Sequence, residues 1–209
     1  MIHFVYFDVG GVVMQDFSGT DKWSELLDEL GIKPDQNKEF NELWDKHKYD
    51  IYTGKNVDSL LPIIKQKFNP NISANYSLLL DGFVKRFKVN MSIWPVIDVI
   101  HKKCRIGLFT IQYTGMLEAI KAKGILPDIK WDVVIDSSIE GVSKSDNLMF
   151  ELAEKRAGFK GEQIFYIENT TEHIDKAEDH DWNTFLYDPT DLDKSNRELL
   201  HKFNMLVSQ

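Results

Sequence analysis

The chain has 209 residues, a formal net charge of −8, 43% hydrophobic residues and 28% charged residues. This length allows one domain with a full core, or a core with a small accessory domain, and the composition is ordinary for a globular protein. The acidic balance, with no basic block, argues against a nucleic-acid partner, and no apolar run reaches the roughly 18 residues that a membrane span needs.

The single cysteine, Cys104, excludes a disulfide within the chain, which suits a reducing compartment. The first residues show no basic segment followed by a long apolar run, so the sequence predicts no signal peptide. We therefore expect a cytoplasmic protein, either a monomer or a homodimer.

The chain opens with a short strand that leads into two glycines. Residues 3–7 are aromatic and β-branched, which predicts a buried strand. Asp8 follows at the carboxyl end, where open α/β sheets bind their ligands, and Gly10 and Gly11 allow a sharp turn and a close approach of the backbone. Asp8 is thus a candidate nucleophile and metal ligand, although an aspartate that only caps the turn would give the same pattern.

Residues 17–90 predict a run of helices without a strand. Apolar residues at helical spacing predict helices near residues 20–30, 34–47, 57–68 and 73–87. Gly31 and the segment 69–71 separate them.

From residue 92 onward, strand and helix patterns alternate strictly. The predicted strands are 105–110, 131–135, 163–167 and 184–187, and the predicted helices are 94–103, 114–123, 145–157, 171–180 and 191–205. This alternation is typical of a parallel sheet covered on both faces. We therefore predict an α/β protein with a Rossmann-like three-layer core, formed by residues 1–16 and 91–209, and an inserted all-helical cap domain at 17–90.

Polar residues stand at the ends of the later strands. Thr110 ends one strand, Lys144 precedes a helix, and Glu168 and Asn169 end another strand. In a parallel sheet these ends face the same edge, so the side chains can converge on Asp8. Taken singly, each residue has a simpler explanation as a turn, a solvated lysine or a helix cap. All of these polar residues occur together, in chain order and near strand ends, and this favours a functional site over the separate explanations.

The chemistry that this set of residues suggests is displacement by a carboxylate. Asp8 would attack and form a covalent intermediate, while Thr110 and neighbouring backbone amides bind the transferred group and Lys144 neutralises charge. Mg²⁺ prefers oxygen ligands, and Asp8, the Gly10 carbonyl, Glu168 and Asn169 offer them.

These segments resemble the four motifs of the haloacid dehalogenase-like (HAD) hydrolases. Residues 7–13, 108–110, 141–146 and 165–170 are similar to the first to fourth motifs, and residues 17–90 stand where this family carries a small helical cap. The resemblance implies a Mg²⁺-dependent phosphatase of a small phosphorylated metabolite, such as a sugar phosphate. It also implies Asp8, Lys144 and Thr110 as catalytic residues. The implied phosphate-binding residues are Gly10, Gly11, Thr110, Ile111 and Lys144, and the implied metal ligands are Asp8, Gly10, Glu168 and Asn169.

The sequence departs from the family pattern at two functional positions. Gly10 stands where phosphatases of the family carry a second aspartate as general acid and base, and Glu168–Asn169 replaces a pair of acids. Without a metal, Asp8, Glu168 and Lys144 sum to one negative charge; with Mg²⁺ they sum to one positive charge, so a phosphate substrate calls for the metal. Losing a general acid matters least for a stable leaving group, which favours a sugar 1-phosphate, acyl phosphate or aryl phosphate. Asp45 or His47 of the predicted cap is a candidate for the general acid that Gly10 does not supply.

Two other functions are compatible with the sequence. One is a catalytically weakened protein of the same fold that binds or regulates. The other is a metal-free 2-haloacid dehalogenase, which is less favoured because those enzymes carry a bulky aromatic residue at the position of Gly10. Substrate specificity would depend on the cap, where Phe17, Trp23, Trp44 and Tyr49 are candidate contacts that also suit a core role.

Overall fold

A five-stranded parallel sheet forms the centre of the protein in a computed structural model that describes residues 1–208. The strands, in chain order, are β1 Phe4–Phe7, β2 Met14–Gln15, β3 Lys88–Val89, β4 Arg105–Thr110, β5 Val133–Asp136, β6 Ile164–Glu168 and β7 Asn183–Leu186. The α-helices are α1 Lys22–Glu29, α2 Asn37–Tyr52, α3 Leu61–Phe68, α4 Trp94–His101, α5 Met116–Ala122, α6 Ser137–Glu140, α7 Asn147–Ala157, α8 Thr171–Asp179 and α9 Leu192–Val207.

The strand order of the sheet is β5-β4-β1-β6-β7, with β1 at the centre. Phe4 of β1 is in register with Arg105 on one side and with Ile164 on the other, so β1, β4 and β6 end at the same edge. All four residues of β1 are buried, as expected for a central strand covered on both faces.

Two apolar clusters cover the faces of the sheet. Val5 and Phe7 face a cluster that includes Ile100 of α4 and Phe203 of α9. Phe4 and Tyr6 face the other cluster, which includes residues of α7 and α8. This arrangement gives the three layers that the alternating sequence pattern predicts.

The segment between β2 and β3 is mainly helical, but the predicted fourth helix at 73–87 is wrong. Leu78–Phe83 forms a short π-helix, followed by a 3₁₀ turn at Val84–Arg86. The Arg86 guanidinium donates hydrogen bonds to the carbonyl oxygens of Asp81 and Gly82. These bonds take acceptors that a continuing α-helix would use, so the segment ends there.

A two-stranded antiparallel ribbon joins the central domain to the inserted helices. Met14 pairs with Val89 and Gln15 pairs with Lys88, whereas the sequence pattern predicted no strand there. Strands of two residues are too short to produce a visible period of alternation. The ribbon directs residues 16–18 back toward the sheet edge.

Helix α6 was also not predicted. It follows β5 directly, Asp136 accepts a hydrogen bond from the amide of Ser138, and Gly141, with φ +71°, ends it. Among residues 1–208, no helix combines the length and the apolar character that a membrane crossing requires.

Candidate active site

Three of the predicted residues meet at the carboxyl edge of the sheet. Asp8 follows β1, Glu168 ends β6, and Lys144 lies in the loop before α7. Lys144 Nζ donates to Asp8 Oδ1 at 2.7 Å and to Glu168 Oε2 at 2.7 Å. Lys144 and Glu168 are each 1% exposed, so a buried ammonium bridges two carboxylates.

Glu168 is held as an anion by several donors. Its Oε2 also accepts from the Tyr166 hydroxyl and lies 3.1 Å from His173 Nδ1, while its Oε1 accepts from the amides of Asn169 (2.9 Å) and Thr170 (3.0 Å). Burial by itself would raise the pKa of Glu168, but Lys144 and His173 outweigh it and hold that pKa well below the usual range.

Asp8 is less well compensated than Glu168. Burial and the negative charge of Glu168 raise the pKa of Asp8 to about 7, against the opposing effect of Lys144. Burial opposes the charge of Lys144, yet the two carboxylates raise its pKa above the ordinary value. One ammonium therefore serves two buried carboxylates, and a further cation beside Asp8 would stabilise its charged form.

The donor set fits a magnesium ion. One end of the Asn169 side-chain amide lies 3.1 Å from the Gly10 carbonyl oxygen and 2.9 Å from Glu168 Oε1, and the other end lies 2.9 Å from Ser18 Oγ. As nitrogen, the first end donates a hydrogen bond to both oxygens. With the amide turned over, its oxygen would join the Gly10 carbonyl and Glu168 as oxygen donors, the ligand type that Mg²⁺ prefers. Asp8 adds a carboxylate beside this group.

The two glycines after Asp8 occupy different positions in the site. Gly10 borders the cavity, and Gly11, with φ +74°, packs so closely on the Asn169 amide that a Cβ there would collide with it. Gly11 therefore positions Asn169 and forms the turn that its sequence context predicts.

Asp16 is a residue that the sequence reasoning missed. A Cβ on Gly10 would collide with Asp16 Oδ2, so the Asp16 carboxyl group occupies the space that a side chain at residue 10 would take. Asp16 Oδ1 accepts from the amide of Ser18 at 2.8 Å, and burial raises the pKa of this carboxyl group. The only sequence signal is an acid shortly after the glycine turn. By contrast, Asp45 is exposed and pairs with Lys48, and neither Asp45 nor His47 borders the cavity.

Thr110 lies at the predicted strand end, but it is fully buried and does not border the cavity. Its hydroxyl accepts a hydrogen bond from Gln112 Nε2 at 2.8 Å, and Ile111 and Gln112 border the cavity in its place. Gln112 is 2% exposed, and its Oε1 has no hydrogen-bond partner among the described residues. The sequence analysis did not consider Gln112.

A cavity of about 540 Å³ lies above these groups, between the sheet edge and the inserted helices. Phe17, Trp23 and Trp44 border it, whereas Tyr49 is 50% exposed and donates to Asp146 Oδ2 instead. The other aromatic residues that border the cavity are Tyr52, Phe83, Phe87 and Tyr113.

No protein-family model and no curated protein matches this sequence. Among solved structures, a predicted HAD-like family hydrolase from Porphyromonas gingivalis is similar, with a TM-score of 0.75, 18% identity, and coverage of 96% of this chain and 98% of that one. A HAD family enzyme from Bacteroides thetaiotaomicron, in complex with magnesium and inorganic phosphate, has a TM-score of 0.71, 12% identity, and coverage of 91% and 96%. The L-2-haloacid dehalogenase from Xanthobacter autotrophicus has a TM-score of 0.62, 14% identity, and coverage of 90% and 78%. At these identities the similarity concerns the fold.

Proposed function

Because the chain has the fold of the haloacid dehalogenase-like hydrolases, we propose that it is a Mg²⁺-dependent phosphatase of a small phosphorylated metabolite, with Asp8 as nucleophile. The observation that carries this proposal is the buried Asp8–Lys144–Glu168 bridge at the floor of a cavity that admits a small molecule. Asp8 Oδ1 is bound to Lys144, while Asp8 Oδ2 accepts no hydrogen bond from the described residues and is available for attack.

The reaction has two displacements at phosphorus. An Asp8 oxygen forms a bond to phosphorus as the bond to the leaving group breaks, which produces an aspartyl phosphate and the freed alcohol or phenol. Water then attacks phosphorus, the bond to Asp8 breaks, and inorganic phosphate leaves. Lys144 keeps Asp8 in place and offsets the charge on the transferred group. Gln112, which stands between Thr110 and the cavity, is proposed to make the phosphate contact that the family resemblance assigns to Thr110.

The residues proposed to hold Mg²⁺ are Asp8, the Gly10 carbonyl, Glu168 and Asn169. When bound, the metal would supply the positive charge that a phosphate dianion needs beside two carboxylates. The magnesium and phosphate complex of the Bacteroides enzyme, which has the same fold, supports this choice of ion.

The test is the hydrolysis of 4-nitrophenyl phosphate with and without Mg²⁺, by the wild type, by Asp8→Asn and by Asp45→Asn. We expect Mg²⁺-dependent turnover in the wild type and in Asp45→Asn, because Asp45 is an exposed acid outside the cavity. Turnover should fall to background in Asp8→Asn. A wild type that is folded and inactive with Mg²⁺ would contradict the proposal.

The second candidate function is a binding protein of the same fold that has lost efficient turnover. The observations that favour it are Gly10 and Asn169, which replace two acids of the family pattern. The same assay decides between the two functions.

A dehalogenase is less well supported. A 2-halo acid brings a carboxylate that needs its own cation, and Lys144 is the only lysine or arginine among the described residues that border the cavity. Lys144 is already bound by two carboxylates.

A further inference from the structure

One wall of the cavity is built from aromatic rings of the inserted segment. Trp44 of α2 lies 5.3 Å from Trp23 of α1 in a T-shaped arrangement and 5.6 Å from Phe83, measured between ring centroids. Phe17, which follows β2, lies 5.4 Å from Phe83 and 6.3 Å from Trp23. Two of these four ring contacts are T-shaped and two are tilted, which are arrangements that aromatic pairs prefer over face-to-face stacking.

The core domain completes the wall through Tyr113, which lies after β4. Its ring is 4.9 Å from Phe83 and 6.0 Å from Trp44, and it stacks on Tyr52 at 5.9 Å with an interplanar angle of 4°. The aromatic wall is defined as Phe17, Trp23, Trp44, Tyr52, Phe83 and Tyr113, and it therefore contains residues of the inserted segment and of the core domain.

The rings of the aromatic wall do not bury one another completely. Phe17, Trp23, Trp44, Tyr52 and Tyr113 are only half-buried, although all of them border the cavity. Part of their ring surface thus faces the space above Asp8. Such surface is stabilised when an apolar planar group covers it.

The polar groups near this wall are mostly engaged. Trp23 Nε1 donates to Asn41 Oδ1 at 3.1 Å. Lys22 is 8% exposed, and its Nζ donates to the carbonyl oxygens of Gln15 and Asp16. The wall itself offers the hydroxyl groups of a sugar only the tyrosine hydroxyls as partners, because the other polar side chains that border the cavity, such as Ser18 and Gln112, are not part of the wall.

We propose that the substrate is a phosphate monoester whose organic group is aromatic, with the ring on the aromatic wall and the phosphate at Asp8. This inference rests on the proposed phosphatase function and specifies its substrate class. In the first step, an Asp8 oxygen bonds to phosphorus, the bond from phosphorus to the ester oxygen breaks, and that oxygen leaves with the electron pair. An alkoxide oxygen takes its proton from the Asp16 carboxyl group, and a phenolate oxygen takes its proton from water.

An aromatic wall also attracts quaternary ammonium groups, so phosphocholine is a competing outcome that the test must include.

The experiment compares substrates that differ in the ring and match in the leaving group. Benzyl phosphate and cyclohexylmethyl phosphate are both esters of primary alcohols. The ratio of their KM values therefore measures how the aromatic wall distinguishes an aromatic ring from a saturated one. We expect KM for benzyl phosphate to be about 2–10-fold lower than for cyclohexylmethyl phosphate. We expect kcat/KM for glucose 6-phosphate and for phosphocholine to be below that for benzyl phosphate. Equal values for the matched pair, or a preference for glucose 6-phosphate or phosphocholine, would overturn the inference.

Variants locate the preference in the wall. Trp44→Leu should raise KM for benzyl phosphate by about tenfold and remove most of its advantage over cyclohexylmethyl phosphate, while Trp44→Phe should retain most of the preference. Trp131→Leu is the matched control, because Trp131 packs on Phe7 outside the cavity. An unchanged preference for benzyl phosphate in a folded Trp44→Leu protein would also contradict the inference.

Binding separates the two proposals. Benzylphosphonate and cyclohexylmethylphosphonate are not hydrolysed, and Trp23 and Trp44 report their binding by fluorescence. Turnover of acetyl phosphate without aromatic preference would leave the phosphatase proposal intact and reject the aromatic substrate. If no ester is turned over, the phosphatase proposal fails, and a ratio of the two phosphonate dissociation constants near one rejects the aromatic ligand as well.

Discussion

Asn169 belongs to the proposed magnesium site, and its amide nitrogen hydrogen-bonds the Gly10 carbonyl and Glu168 Oε1. The variant Asn169→Asp replaces this donor with a second carboxylate beside Glu168. We expect the metal-free variant to lose about 1–3 kcal/mol of unfolding free energy, since an acceptor then faces two acceptors. We expect its Mg²⁺ affinity to rise by about tenfold or more, because an anionic ligand replaces a neutral one.

Thermal unfolding without metal and calorimetric titration with Mg²⁺ measure these two effects. Asn75→Asp is the control, because Asn75 is exposed and lies outside the cavity. A metal-free Asn169→Asp protein as stable as the wild type, with unchanged Mg²⁺ affinity, would show that Asn169 has no part in the site.

At the scale of elements, the ribbon of β2 and β3 matters because it carries Asp16 to the position above Gly10. We expect Asp16→Asn to slow hydrolysis of an alkyl phosphate by roughly 10²-fold, the lower end of general acid–base contributions. The loss for 4-nitrophenyl phosphate should be much smaller, because nitrophenolate leaves without protonation. The measurement is kcat for both substrates, with Asp45→Asn as control; equal losses for both would show that Asp16 only shapes the cavity.

At the scale of the whole molecule, hydrogen bonds across the cavity rim join the inserted helices to the core. The Tyr49 hydroxyl donates to Asp146 Oδ2 at 3.0 Å, and Thr114 Oγ1 donates to the Gly54 carbonyl at 2.9 Å. Both hydrogen bonds lie at the exposed rim, where solvent competes for the donors and acceptors. We therefore expect Tyr49→Phe to raise KM by about 2-fold with little change in kcat, because the variant loses one of the contacts that hold the inserted helices against the core.

Steady-state kinetics of Tyr49→Phe tests this prediction, and Tyr76→Phe is a control, since its hydroxyl binds Glu29 within the inserted segment. A fall in kcat with unchanged KM would instead place Tyr49 in a step after binding.

The sequence by itself determined the fold class and the meeting of Asp8, Lys144 and Glu168. Strict alternation of strand and helix specifies a parallel sheet, and a parallel sheet brings its strand ends to one edge whatever the side chains are. The predicted fourth helix failed at both ends: residues 73–77 are not helical, and after Leu78–Phe83 Arg86 binds backbone carbonyls, a contact that periodicity does not encode.

Only the tertiary structure decided which side chains border the cavity at this edge of the sheet and which are buried behind them. It placed Gln112 in front of Thr110, brought Asp16 into the room left by Gly10, and set the Asn169 amide between two oxygens. It also gathered the aromatic wall from residues far apart in the chain. Side-chain direction and burial depend on packing between distant segments, and local sequence patterns carry no information on that packing.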